Sequence, residues 1–190
     1  MNTAENVILV DADHVDRVAF NLIVNFERMI GRRIPQADMA RWIDCIALDG
    51  GVREGDHSTL VALLHDKQKS RLENFLPSDY TELDGKAFRD NLGEFTISAL
   101  PVEQITTKES FIRDALETMC MQQEVKRVMV VADETVYVDL RQTLRRVDDA
   151  DKRVTLFSMQ PLQSGPYRQE ILGFSLMSAM GIRSDEIKTE

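Results

Sequence analysis

Residues 6–13 read NVILVDAD and residues 127–134 read RVMVVADE, and these two stretches decide the fold. Each is a short, β-branched apolar run that stops at acidic residues, the pattern of a strand buried on both faces of a parallel sheet. After the first run, Val15, Val18, Ala19, Leu22, Ile23, Phe26 and Ile30 recur at i, i+3, i+4, i+7 spacing. That predicts an amphipathic helix with Asp13 as its N-cap and Gly31 as its stop. After the second, Leu140, Leu144 and Val147 mark the inner face of another helix.

Working outward, Thr59–Leu64, Phe95–Leu100 and Arg153–Met159 read as further strands. Pro35 opens a helical pattern carried by Met39, Trp42, Ile43 and Ile46, which the pair Gly50-Gly51 closes. Asp66 is placed to cap a short helix through Leu72, Phe75 and Leu76 that Pro77 ends. Thr106-Thr107-Lys108-Glu109 is a capping-box pattern ahead of a helix built on Phe111, Ile112, Ala115, Leu116 and Met119. Ser164-Gly165-Pro166 starts a final apolar helix containing Tyr167, Ile171, Leu172, Phe174, Leu176 and Met177. Residues 78–91 carry no readable pattern. Strands alternating with helices imply one α/β domain over residues 1–190, a Rossmann-like three-layer α/β/α sandwich with a mainly parallel central sheet and right-handed crossovers. No internal repeat, low-complexity tract or linker breaks that domain.

Composition bounds the function classes. With 43% hydrophobic and 29% charged residues in 190, the chain has the balance of a globular protein able to bury its own core. Its longest apolar run is about five to seven residues, against roughly 20 for a bilayer span, which argues against a membrane protein. The first residues lack the basic-then-apolar layout of a signal peptide, so a cytoplasmic location is expected. A net charge of −9 opposes nonspecific binding to a phosphate backbone, so a nucleic-acid partner needs a local basic patch. Arg141, Arg145, Arg146, Lys152 and Arg153 form one candidate and Lys67, Lys69 and Arg71 another; the plain alternative is solvated helix faces. Cys45 and Cys120 have no CxxC spacing and read as inert thiols.

Ligands of open parallel sheets bind beyond the carboxyl ends of the strands. Acidic residues gather there: Asp11 and Asp13 after the first strand, Asp133 and Glu134 after the second, with Glu109 and Asp114 on the helix whose N-terminus approaches the same edge. Carboxylates converging within about 4–6 Å repel one another and call for a cation. Oxygen-only ligation suits Mg²⁺ or Mn²⁺, whose natural chemistry at such a site is displacement at phosphorus. The bland alternative is that Asp13 and Asp133 only cap helices and Glu109 completes its box.

The layout of VILVDAD, an amphipathic helix, a helix bearing an acidic residue, then RVMVVADETVYVDLRQTL and RVTLFSM resembles the NYN branch of the PIN-like nucleases. The resemblance covers about two-thirds of the chain, mainly its two ends. It implies a parallel α/β fold, acidic residues holding Mg²⁺ or Mn²⁺, and cleavage of RNA. It places the first-strand aspartate on Asp11 with Asp13 beside it, the first acid of the later motif on Glu134 and the motif's aromatic on Tyr137. Val136 stands where the second aspartate belongs, with Asp133 and Asp139 as nearby substitutes. The helix-borne aspartate falls on Lys108 or Glu109, with Asp114 a turn later. The implied catalytic set is Asp11, Asp13 and Glu134, the metal set adds Asp133, Glu109 and Asp114, and His14, Lys108, Thr135 and Arg141 are the implied substrate contacts. A member lacking ligands would instead be a noncatalytic module binding RNA, a nucleotide or a protein. Asp11-Ala12-Asp13 is also similar to the haloacid dehalogenase phosphohydrolases, although RVTLFSM is followed by Gln160-Pro161 rather than their late acidic pair. The broad apolar arc of the last helix raises a third expectation, a homodimer formed through it.

Overall fold

The computed structural model describes residues 4–187 apart from residue 104, and all but the side chains of residues 105 and 106. Its central sheet has seven strands in the order β5-β6-β3-β1-β7-β8-β9, where β1 is Asn6–Asp11, β3 His57–Asp66, β5 Ala87–Asp90, β6 Gly93–Val102, β7 Arg127–Val131, β8 Arg153–Ser158 and β9 Arg168–Ile171. Every neighbouring pair is parallel except β5 against β6. The two runs that set the fold expectation are therefore adjacent: Asn6 to Val10 pair in register with Arg127 to Val131.

Both faces are covered. Alternate residues Ile8, Val10, Met129 and Val131 point into one apolar layer with α1 (Ala12–Ile30), α2 (Met39–Asp49), α3 (Tyr80–Leu83) and α7 (Leu172–Ala179). Val7, Leu9, Val128 and Val130 point into the other, with α4 (Ile105–Cys120), α5 (Glu134–Asp139) and α6 (Arg141–Asp149). This is the three-layer sandwich expected, and it explains why the central strands are continuously apolar rather than alternating. No described helix is long and apolar enough to cross a membrane.

Several local readings are corrected. The N-cap of α1 is Asp11, whose side chain accepts the His14 N–H at 3.2 Å, and Asp13 lies inside the first turn with its carboxylate buried. Gly31 does end α1, in the left-handed region at φ 80. The second helix begins at Met39 rather than Pro35, because Ala37–Asp38 (β2) pairs with Phe75–Leu76 (β4) before Asp38 caps α2 through the Arg41 N–H.

No helix follows Asp66. Its carboxylate accepts from the Gln68 N–H at 2.8 Å and turns the chain. The Asp16 carboxylate in α1 then captures the backbone N–H groups of Glu73 and Asn74, leaving Leu72 and Phe75 to fill the core from an extended segment. The unreadable stretch forms α3 and β5. The helix after β7 is two helices, since Leu140 leaves helical geometry at φ −99, ψ 7. Tyr167 and Ile171 lie outside the last helix: residues 168–171 pair with β8, and α7 starts only at Leu172. The capping-box residue Thr106 lies outside the residues whose side chains are described.

Candidate functional site

From β1 the chain passes through α1 and α2 over one face to β3. Later it returns across the other face through α4, to place β7 on the opposite flank of β1. The winding direction thus reverses at β1, and the crevice beyond the carboxyl ends of β1 and β7 is where an open sheet of this kind exposes a ligand site. Asp11 ends β1, and Asp133 follows β7 by two residues.

Asp11 and Asp13 are buried there, 5% and 3% exposed, and between them stands a third buried charge, Lys108 of α4 at 4%. The Lys108 ammonium donates to Asp11 Oδ1 at 3.1 Å and to Asp13 Oδ2 at 2.6 Å. Asp13 Oδ2 also accepts the Asp66 N–H at 2.7 Å, and the Lys69 ammonium lies 3.8 Å from Asp13 Oδ1. Two negative charges thus face two positive ones. Burial alone would raise the Asp13 pKa, but the hydrogen bonds from Lys108 and Asp66 and the charges of Lys108 and Lys69 hold it below the usual carboxylate range. Burial would likewise lower the Lys108 pKa; its bonds to Asp13 and Asp11 outweigh that and raise it. The cluster is a hydrogen-bonded ion network, the arrangement in which desolvation of each buried ion is best offset.

His14 and Asp133 form the outer wall. His14 Nδ1 lies 3.8 Å from Asp133 Oδ2. Burial lowers the His14 pKa more than the nearby Asp11 and Asp133 carboxylates raise it, so the ring is neutral at pH 7. Asp133 is exposed and caps α5, Oδ1 accepting from the N–H and hydroxyl of Thr135 at 3.0 and 2.8 Å; these bonds hold its pKa down. On the other side the His65 ring stacks on Tyr80 at 3.7 Å between centroids. Burial, reinforced by Asp13, Asp16 and Asp11, drives the Tyr80 phenol far up, so it stays protonated.

The remaining candidate residues are dispersed. Glu134 lines a neighbouring depression of about 250 Å³ together with Tyr137, Val138, Arg141 and Tyr167. Arg141 donates to Gln163 Oε1 at 2.8 Å. Glu109 is engaged by Arg113 at 2.8 Å, and Asp114 is exposed on the outer face of α4. Tyr137, on which the resemblance set an aromatic, is buried; its hydroxyl accepts the Ala132 N–H at 2.9 Å and sits 2.7 Å from Phe157 O and 2.9 Å from Val130 O, pinning the carboxyl ends of β7 and β8. The basic groups also separate. Lys67, Lys69 and Arg71 each lie near a carboxylate, on Glu103, Asp13 and Glu73. Lys152 and Arg153 sit at the amino ends of the strands, and Arg141 at the carboxyl edge.

A resident Mg²⁺ or Mn²⁺ does not fit these residues. An octahedral ion at about 2.0–2.1 Å from its oxygens needs carboxylates facing an open centre, whereas the centre here is filled by an ammonium. Among the described residues no three His, Cys, Asp or Glu side chains are grouped so as to hold an ion. The sequence did mark Lys108 as a contact, but its central place was missed. A lysine in the first turn of a helix, where the dipole disfavours positive charge, is the signal that could have found it. Lys69, His65 and Tyr80 carried no comparable sign.

Compared with known proteins, residues 1–187 match the family model whose description reads Family of unknown function (DUF6621). No curated protein and no solved structure matches the chain.

Proposed function

Because the chain belongs to the DUF6621 family, whose description assigns no activity, we propose its function from the site geometry: a noncatalytic, metal-independent module of PIN/NYN-like type that binds RNA at the carboxyl edge of its sheet without cutting it. The observation that carries the noncatalytic reading is Lys108, whose ammonium bridges Asp11 and Asp13 where a nuclease of that type would hold its cation. The tethered charge, with that of Lys69, balances the carboxylates and blocks the approach of a water and a phosphate to them together. RNA contact falls to the adjoining groove, where Arg141 and Arg145 lie beside Gln163 and Tyr167. Guanidinium groups for the backbone and an aromatic for a base are what single-stranded nucleic acid needs. With the chain at −9, that binding is weak and strongly salt-dependent.

The convergence of Asp11, Asp13 and, through His14, Asp133 favours one competing reading, a metal-dependent ribonuclease, which requires Lys108 to leave. One experiment separates them. A labelled uridine oligonucleotide is incubated with the protein and millimolar Mn²⁺, and binding is followed by fluorescence anisotropy at low salt. The module binds without cleavage and loses about tenfold in affinity when Arg141 and Arg145 become alanine. Cleavage that disappears in Asp11→Asn would replace it with the nuclease.

A further inference from the structure

At the opposite, amino-terminal edge of the sheet, the loops entering β7 and β8 enclose a cavity of about 520 Å³ whose wall holds four cations, Lys126, Arg127, Lys152 and Arg153, and one carboxylate, Asp151. The strand register brings them together: Arg127 pairs directly with Arg153, and the Arg153 N–H bonds to the Lys126 carbonyl at 2.9 Å. Like charges directly opposite on neighbouring strands are destabilising. Yet among the described residues none of the four enters an ion pair, in a chain where 32 acidic residues outnumber 23 basic ones.

Part of this charge answers the fold. In a parallel α/β sandwich the carbonyl ends of the helices gather at the amino edge and attract cations. Lys152, 9% exposed, does this by donating to the Gln122 carbonyl just past α4. The other three are left over. Lys126 and Arg153 are exposed. Arg127 runs beside Gly51, where a β-carbon would stand 3.4 Å from its Nε, and among the described residues that enclosed Nε–H has no acceptor.

We propose that this cavity is a binding site for a compact, multiply charged phosphate, namely a diphosphate group, taken either as the free anion or as part of a nucleoside diphosphate. Two arginines offer forked donors suited to adjacent phosphoryl groups, and Lys126 supplies point charge. Among the described residues no aromatic side chain lines the cavity, so recognition rests on the phosphates and not on a stacked base. The site lies across the sheet from the crevice of Asp11 and does not depend on the RNA reading.

Titration calorimetry of the full chain with inorganic diphosphate, without divalent metal, tests this at 50 and 200 mM salt. One saturable site per chain is expected, weakened at the higher salt and at least tenfold by the double variant Lys126→Gln, Arg153→Gln, whose exposed positions leave the fold intact by circular dichroism. Arg127→Lys, which keeps the charge but removes the fork, should lower affinity severalfold. Adenosine diphosphate binding as tightly as the inorganic anion assigns the site to a nucleotide; weaker binding assigns it to the free anion, and either upholds it. Absence of saturable heat with both ligands, or equal affinity in the double variant, overturns it.

Discussion

Lys108 is the residue on which the chemistry turns. Lys108→Ala leaves two buried carboxylates sharing a vacated space, a change expected to cost about 3–5 kcal/mol. The same space then presents Asp11 and Asp13 to solvent ions. Thermal melts should show Mn²⁺ at millimolar concentration raising the Tm of Lys108→Ala while leaving the parent chain unmoved; an equal shift in both would mean that the lysine does not guard the site. A second residue couples the fold to pH. Asp44 of α2 is pushed up to about 7, first by burial and then by its hydrogen bond and charge repulsion with Asp90 and the charge of Asp38, and its Oδ1 is enclosed without a partner among the described groups. The folded chain thus favours the protonated acid. Its contribution is present in full below pH about 4, the value of a free carboxyl, and is lost as pH rises through about 7. Asp44→Asn should therefore gain about 1 kcal/mol at pH 8, solvent screening allowed for, and nothing at pH 4, as read by urea unfolding at the two values.

At the scale of elements, the strands were legible because burial on both faces writes itself as an unbroken apolar run. β1 and β7 fall within a residue of where NVILV and RVMVVA place them. The connections were not, because their structure is decided by contacts far along the chain. The spacing of Leu72, Phe75 and Leu76 satisfies a helix, but Asp16, 57 and 58 residues earlier, holds the backbone of Glu73 and Asn74 in another shape. Asp16→Ala should free this loop and cost about 1–3 kcal/mol; hydrogen exchange of the Glu73 and Asn74 amides, faster while that of β1 is unchanged, is the check. The site divides in the same way. Asp11 could be read because it ends a strand, whereas the role of Lys108 depends on a salt bridge spanning 97 residues, which no local pattern encodes.

For the whole molecule, the last helix divides its apolar residues between the core and the surface. Leu172, Leu176 and Ala179 are consumed by the core, and Trp42 ties α2 to this helix through an Nε1–H bond to Ser175 Oγ at 3.1 Å. Among its large apolar groups Phe174 is the exposed one, at 69%. Leu176→Glu should therefore unfold the chain, with loss of far-ultraviolet ellipticity and a red-shifted Trp42 emission. Phe174→Glu should fold normally, and any self-association seen by sedimentation that it removes would run through that ring. The sheet as a whole is held in alignment at one crossing. At Gly93, φ 107, a β-carbon would stand 2.0 Å from the carbonyl oxygen of His57, where β3 and β6 begin their ten-residue parallel ladder. Only a hydrogen atom fits between them, so sliding β6 by two positions would force a side chain into the backbone of its neighbour. That glycine serves as the zero mark of a ruler: the strand can be counted off from it in one way alone, and the far ends of the sheet inherit their places from it.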